Sequence, residues 1–383
     1  MPGYTDVKET QRWPRGISAY FRRTAFGRNS IKNGTMMNHN AVVPLSVAMG
    51  FAILTSVGCS SRTSQPSKTE DGLDKVSLML NWYPEAEHGG FYAAREHGIF
   101  EKYGLSVEIV AGGPNAPVAQ ELVTGRVQFA VGNADDVLLF NQQSANVVAL
   151  MAPIQDTPRC ILVREDSGVM SLDGLAGLTL QANEGRPFVD YMRSEGLLDN
   201  VNVVPYSGTV TGLVTDKSVA IQAYSFSEPL VAQQEGVATR KLMLAQAGFN
   251  PYASCLIATR SYLDEQDDVA ERMTKACIEG WQQYLQDAEK SNRAILADNQ
   301  HGMTLEALEF GATDLRGLCL PGEMDIKQVG KMSARRWQEL VKQFQDLDLV
   351  DKSMKAEDVF DASFITSTSA DTSAETAAET VVE

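Results

Sequence analysis

NWYPEAEHGGFYAAREHGIF, at residues 81–100, directly follows the apolar run VSLML at residues 76–80. The run predicts a strand that Pro84 ends, and a helix is predicted from near Gly89 to Gly98, where glycine tolerates the positive φ of a helix terminus. The pattern is therefore strand, polar-aromatic loop, helix. In an open α/β sheet such a loop lies at the carboxyl end of the strand, where ligands bind.

The loop itself carries side chains that suit a small polar ligand. Trp82 offers a stacking face, and Asn81, Glu85 and His88 offer hydrogen bonds. The alternative is that Trp82 and Tyr83 cap the hydrophobic core, because large aromatic side chains are usually buried. The rest of the chain has to distinguish a ligand site from a core cap.

Composition narrows the class of protein. The chain has 383 residues, a formal net charge of −16 and 44% hydrophobic residues, which is ordinary for a globular protein. The negative charge argues against a nucleic-acid partner, since binding phosphate backbones needs a basic surface. The five cysteines form no C-x-x-C pair, so no zinc site is predicted; four of them, with a disulfide between two left open, are expected to be small buried residues: Cys160, Cys255, Cys277 and Cys319.

Residues 1–59 are predicted to be an export leader. A basic stretch precedes an apolar run at residues 41–54, which is shorter than the roughly 20 residues of a membrane span. The run ends in Gly58-Cys59 followed by serines, which resembles a bacterial lipobox and predicts lipidation of Cys59. Ordinary signal cleavage, with Cys59 incidental, is the alternative. A flexible tether is expected at 60–74 and a disordered tail at 363–383, because both are rich in small polar residues.

Between tether and tail, strand patterns alternate with helix patterns, which predicts an α/β fold with parallel strands. The pattern restarts near residue 166 and returns to the first unit after residue 250. We therefore predict two lobes, the first from residues 75–165 plus 251–350 and the second from residues 166–250. Such a layout has a hinge and a cleft that closes on a small ligand.

Further candidate ligand residues follow predicted strands. Asn133 ends the third strand, whereas Asp135 and Asp136 suit the first turn of a helix. Tyr224 ends a strand of the second lobe, and Glu228 lies four residues later. Pro229 favours the alternative that Glu228 is a helix N-terminal carboxylate.

Three motifs carry a resemblance to a known family: LNW with HGGFYAA and HGIFEKYGLSV at residues 80–107, L-x-x-G-x-V-x-FAVG at residues 122–132, and SL-x-GL-x-G at residues 171–177. They resemble the ABC-transporter solute-binding proteins of the thiamine-pyrimidine and alkanesulfonate group. The resemblance implies a type 2 periplasmic-binding-protein fold and an extracytoplasmic, lipid-anchored monomer that delivers a small ligand to a permease. It implies neither cofactor nor catalytic residue.

Within the group, the Asn-Trp opening with Tyr224 and Glu228 is similar to the pyrimidine-precursor binders. There, aromatic residues sandwich an aminopyrimidine and a glutamate holds its ring nitrogen and amine. The implied site has Asn81, Trp82, Tyr224 and Glu228 lining the cleft, with His88, Asn133 and Phe188 nearby. A sulfonate would instead need backbone amides at a helix N-terminus, which the turn at residues 183–187 with Arg186 also offers.

Eukaryotic members of the group are enzymes that make the pyrimidine from pyridoxal phosphate and an active-site histidine. Their lysine and histidine follow the strand that matches residues 127–132, but residues 133–145 here contain neither. Their cysteine-rich iron motif is reduced to Cys255 in residues 250–255. A binding protein is therefore predicted, with His88 as a hydrogen-bonding residue rather than a base.

Overall fold

The structure is a computed structural model and describes residues 67–366. Their strands fall into two five-stranded sheets, and most strands are followed by a helix. In chain order the strands are β1 (Asp74–Met79), β2 (Leu105–Val110), β3 (Phe129–Gly132), β4 (Val147–Met151), β5 (Arg159–Arg164), β6 (Thr179–Gln181), β7 (Asn202–Val204), β8 (Val219–Tyr224), β9 (Thr239–Met243) and β10 (Cys255–Thr259).

The two sheets share one topology. The first has the order β2-β1-β3-β10-β4 and the second β7-β6-β8-β5-β9. In each, the fourth strand is antiparallel to both neighbours, and the pairings resolved between the first three strands are parallel. Two α/β lobes of the same design confirm the predicted fold class.

The boundary between the lobes differs from the prediction at one strand. The sequence pattern assigns residues 159–164 to the first lobe, but β5 lies in the second sheet between β8 and β9. Its partners lie more than 50 residues away, so no local pattern reveals the pairing. The chain crosses between the sheets at residues 152–158 and again between β9 and β10. The Asn250 side chain ties the crossings together: its Oδ1 accepts from the Thr157 N–H and its Nδ2 donates to Asp156, both at 2.8 Å.

Helices cover the faces of both sheets. Within residues 67–366 they are α1 (Gly89–Glu96), α2 (Ile99–Lys102), α3 (Val118–Val123), α4 (Ala134–Gln142), α5 (Pro187–Ser194), α6 (Thr211–Thr215), α7 (Glu228–Gln234), α8 (Arg260–Glu265), α9 (Asp267–Gln286), α10 (Glu289–Asp298), α11 (Leu305–Cys319), α12 (Ala334–Asp346), α13 (Ala356–Val359) and α14 (Ser363–Thr366). Gly98 has the predicted positive φ of 67° beyond the end of α1.

Two ends of the described chain are more ordered than predicted. Lys68 forms a 2.7 Å ion pair with Asp74, within the segment expected to be a tether. The first residues of the expected disordered tail form α14, which packs against α9 and β4. The leader and Cys59 lie outside the described residues. No helix of residues 67–366 combines the length and apolar character needed to cross a membrane, and the four cysteines there are buried with free thiols.

The closest helix contact in the first lobe is made by glycines. Gly89 and Gly90 at the start of α1 face the rings of Tyr284 and Trp281 on α9, where a side chain would overlap them. Gly280 on α9 in turn lies against the backbone of α1. Because α1 follows the loop at residues 81–88 without a break, this contact fixes the loop relative to the first lobe.

Candidate ligand-binding site

A cavity of about 640 Å³ lies where the carboxyl ends of β1 and β3 face the end of β8. Its size falls within the range of small-molecule sites. Its polar and aromatic lining includes Asn81, Trp82, Glu85, Glu87, Asn133, Asp136, Arg159, Asn183, Arg186, Tyr206, Gln222, Tyr224 and Glu228. A larger depression of about 730 Å³ lies at the opposite, amino ends of β1, β2 and β3. Ligands of open α/β sheets bind outside the carboxyl ends, so we take the first cavity as the candidate site.

The loop after β1 forms one wall. Trp82 is 39% exposed, so it is not a cap on the core, and its indole borders the cavity. Tyr83 points elsewhere and stacks on His301 with ring centroids 3.6 Å apart. Only the first of the two aromatic side chains is therefore available to a ligand.

His88 is buried beneath this loop rather than in the cavity. Its Nδ1 accepts from the Glu85 N–H at 3.3 Å, which leaves Nε2 to donate to Asn81 Oδ1 at 2.9 Å. Burial lowers the pKa of His88 to about 3, so the ring is neutral. The histidine therefore orients the Asn81 side chain, in agreement with the predicted hydrogen-bonding role.

Asn133 connects the two sheets at the back of the cavity. Its Oδ1 accepts from the Ser254 N–H at 3.2 Å, and its Nδ2 donates to the Tyr224 hydroxyl at 3.4 Å. Asp136 accepts from the Asn133 N–H at 3.1 Å, as expected for the first turn of α4. The same carboxylate also borders the cavity, a position that the capping prediction did not include.

Glu228 begins a helix, as the alternative predicted, and it also borders the cavity; its contact with a ligand stays a prediction. It is the first residue of α7, and its Oε2 accepts from the Tyr224 N–H at 2.8 Å. Its Oε1 faces the Tyr206 hydroxyl at 3.5 Å and the carboxyl group borders the cavity. Burial raises the pKa of Glu228 even though these donors lower it.

Arg159, at the start of β5, is the main site residue that the sequence pattern missed. Its guanidinium lies between the rings of Phe188 and Tyr224, 5.0 and 5.1 Å from their centroids. Nη2 donates to the Tyr224 hydroxyl at 3.2 Å and lies 4.0 Å from Asp135. Phe188 is fully buried and does not border the cavity, so it supports Arg159 rather than contacting a ligand.

The cavity has more carboxyl groups than cations. Burial raises the pKa of Glu87 to about 7, with Asp136 adding to the shift and Arg159 opposing it. Burial, then repulsion from Glu87 and Glu228, raises the pKa of Glu85 well above its usual range. The pKa of Asp136 is raised to about 6, chiefly by burial. At the border of the cavity these carboxyl groups, together with Glu228, outnumber the guanidinium groups of Arg159 and Arg186.

Six of the eight predicted ligand residues border this cavity: Asn81, Trp82, Asn133, Arg186, Tyr224 and Glu228. His88 and Phe188 lie behind it. The sequence analysis missed Glu87 because it lies in a loop whose side chains follow no helix or strand periodicity. It missed Arg159 because residues 159–164 were assigned to the wrong lobe. Contact between the predicted residues and a ligand stays a prediction.

Sequence and structure comparisons relate the chain to known proteins. The family described as "NMT1/THI5 like" matches residues 85–291. The formylaminopyrimidine-binding protein of Halalkalibacterium halodurans is 23% identical over 82% of this chain and 97% of its own length. The periplasmic aliphatic sulphonate binding protein of Escherichia coli superposes with a TM-score of 0.57 at 16% identity, covering 74% of this chain and 91% of that one. A desulfurization enzyme superposes with a TM-score of 0.55 at 13% identity, covering 76% and 98%.

Proposed function

Because the chain belongs to the NMT1/THI5-like family, we propose that it is the extracytoplasmic solute-binding component of an ABC importer. Its ligand is a small heteroaromatic of the thiamine-pyrimidine-precursor type. The relative from H. halodurans, which is named as a formylaminopyrimidine-binding protein and matches along nearly its whole length, supports this ligand class. The similarity in fold to a periplasmic sulphonate binder supports the location outside the cytoplasm.

The observation that carries the proposal is the acidic, aromatic character of the cavity. An aminopyrimidine ring has two faces for Trp82 and Tyr224, and its amine donates hydrogen bonds that Glu228 accepts. Hydrogen bonds to a charged group contribute roughly 1.5–3 kcal/mol, and aromatic stacking adds roughly 0.5–1.5 kcal/mol. Four carboxyl groups border the cavity against two guanidinium groups: Glu85, Glu87, Asp136 and Glu228 against Arg159 and Arg186.

A sulfonate or another small anion is the second candidate ligand. Arg186 is exposed at the cavity border and precedes the first turn of α5, whose N-terminal amides attract anions. Arg159 also borders the cavity; its Nη2 contacts Tyr224 and Asp135, and its buried Nε has no hydrogen-bond partner within residues 67–366. We prefer the aminopyrimidine because its amine donates hydrogen bonds that the four carboxyl groups at the cavity can accept, whereas a sulfonate group offers them no donor.

Replacing Glu228 with glutamine tests the preferred ligand class. We expect the wild-type protein to bind 5-(hydroxymethyl)-2-methylpyrimidin-4-amine with micromolar or tighter affinity in calorimetry. The Glu228→Gln variant should bind it about 10- to 100-fold more weakly, since a charged acceptor is lost. Glu235→Gln is the matched control, because Glu235 is exposed at the other end of the same helix and should leave the affinity unchanged.

Taurine supplies the opposing test. Taurine binding by a protein that ignores the aminopyrimidine would reject the proposed ligand and support the anion candidate. An unchanged aminopyrimidine affinity in the Glu228→Gln variant would reject the proposed role of this glutamate.

The protein acts by binding rather than by catalysis in this proposal. His88, which lies beneath the loop that borders the cavity, is neutral and shielded by that loop. The fold is also that of a desulfurization enzyme, so the fold alone supports neither class. A colourless purified protein that takes up no pyridoxal phosphate is the expected result.

Export and anchoring complete the proposal. We propose that residues 1–59 direct export, that Cys59 carries a lipid and that the protein meets its permease as a monomer. Cell fractionation tests the anchor: the wild-type chain should be found with the membranes and a Cys59→Ser variant should be soluble. Equal membrane association of both would reject the lipid anchor.

A further inference from the structure

Glu87 borders the cavity and has a buried side-chain oxygen without a hydrogen-bond partner in the described part of the chain. Glu87 is 2% exposed and follows Ala86 in the short 3₁₀ turn at Ala86–His88. Its Oε2 is buried and has no hydrogen-bond partner within residues 67–366, although the residue borders the cavity. A buried carboxylate oxygen without a donor is costly, so the position calls for a donor from outside the chain.

The neighbours of Glu87 leave its Oε2 without a donor. His88 Nε2 lies 3.6 Å from Oε1, but that nitrogen already donates to Asn81 and the ring is neutral. Glu85 is a second acid beside Glu87. Arg159 lowers the pKa of Glu87, but its Nη2 donates to the Tyr224 hydroxyl and lies 4.0 Å from Asp135.

Two of the other three carboxyl groups at the cavity have backbone donors. Glu228 accepts from the Tyr224 N–H, and Asp136 accepts from the Asn133 N–H. Among the four, Glu87 has the buried oxygen without a hydrogen-bond partner among the described residues, so it can accept a further hydrogen bond from a ligand. Because it is buried beside a second acid, a donor that also brings positive charge satisfies both the hydrogen bond and the charge.

We propose that Glu87, assisted by Glu85, binds a basic nitrogen of the ligand, and that the preferred ligand is a cation: an aminopyrimidine that carries a primary aminomethyl group. This inference rests on the proposed function for the ring and goes beyond it by assigning the ring substituent. The formyl derivative of such an amine is neutral, so selection by charge separates this chain from a binder of the formylated compound.

Calorimetry with two matched probes tests the inference near neutral pH. The probes are 5-(aminomethyl)-2-methylpyrimidin-4-amine, whose primary amine is protonated, and its neutral analogue 5-(hydroxymethyl)-2-methylpyrimidin-4-amine. We expect the wild-type protein to bind the amine at least about tenfold more tightly than the alcohol, the usual size of one charge-assisted hydrogen bond. Glu87→Gln should reduce this preference to about twofold or less while leaving the alcohol affinity within about threefold.

Two further variants separate a specific role from general effects. Glu85→Gln should lower the preference partly, because Glu85 is the second acid beside Glu87. Glu184→Gln is the control, since Glu184 is exposed in the neighbouring turn and does not border the cavity. It should leave the preference unchanged. A ratio of two affinities measured on one protein is insensitive to a modest loss of stability.

The outcomes distinguish this inference from the proposed function. Binding of the alcohol without a preference for the amine in the wild-type protein overturns the inference and keeps the proposed ring class. Failure of both probes to bind overturns both. A preference for the amine that survives in a folded Glu87→Gln protein overturns the role of Glu87. If that variant does not fold, the wild-type preference and the preference of the Glu85→Gln variant decide whether the acidic pair selects the amine.

Discussion

We expect the Gly280→Ala protein to lose about 3 kcal/mol or more of unfolding free energy, although alanine favours helices. A methyl group at Gly280 would meet the backbone of Gly90 and lie 2.7 Å from Cβ of Ala94. Relief requires α9 to move away from α1, which also separates Trp281 and Tyr284 from α1. Overpacking a rigid contact of this kind typically costs 1–3 kcal/mol, and backbone contact places it at or above the upper end. Urea denaturation measures the change.

Gly317→Ala is the matched control for this substitution. Gly317 also lies inside a helix, α11, but a methyl group there meets nothing within 4 Å. We expect this variant to be more stable than the wild-type protein by about 0.5–1 kcal/mol, the intrinsic helix preference of alanine over glycine. Equal effects of the two substitutions would contradict the close approach of α1 and α9.

The second large effect is expected at Arg159, with the change Arg159→Met. The guanidinium is a largely buried cation near Asp135, Asp136 and Glu87, so its loss removes a positive charge that lowers the pKa of Asp136 and of Glu87. Removing one partner of a buried charge group typically costs about 3–5 kcal/mol. Arg193→Met is the control, because Arg193 pairs with Asp190 at the surface and should change stability by about 1 kcal/mol or less.

This loss should depend on pH. Arg159 lowers the pKa of Glu87 and of Asp136, so both pKa values rise further in the variant. An acid with a raised pKa in the folded state holds a proton that the unfolded state releases, so stability falls as pH rises through that window. We therefore expect the gap between wild-type and Arg159→Met proteins to widen from about pH 5 to about pH 8.

The other titratable or charged groups around the cluster are present in both proteins: Glu85, His88, Asp135, Arg186, Tyr206, Tyr224 and Glu228. A gap that is constant with pH would mean that the acids around Arg159 do not depend on its charge.

The sequence predicted the parts of the fold that local patterns encode. Residues 105–110 alternate as expected for a strand with one buried face, and they form β2; Gly98 marked the end of α1. The lobe of β5 was predicted wrongly, because apolar residues 160–163 suit a buried strand in either sheet and the partner is chosen by long-range pairing. Helix α10 is mostly polar and is held by packing against α1 and α11, so its residues give little local signal.

For the site, residues at strand ends were predictable and residues in irregular segments were not. Asn81, Asn133 and Tyr224 each lie at or just after the carboxyl end of a predicted strand, and all three border the cavity. Glu87 lies in a 3₁₀ turn whose direction depends on the α1–α9 contact. Arg159 is the first residue of β5, and because that strand was assigned to the wrong lobe, the sequence did not place Arg159 at the site.

The place of β10 in the first sheet has a consequence for how the protein is made. This strand lies between β3 and β4, yet it emerges from the ribosome more than 100 residues after both. All the strands of the second sheet, by contrast, have been synthesised by Met243. Until residues 255–259 arrive, β3 and β4 each keep an unpaired edge, the kind of surface that promotes aggregation. The lobe that begins first is thus completed last, because its sheet closes only when β10 pairs with β3 and β4.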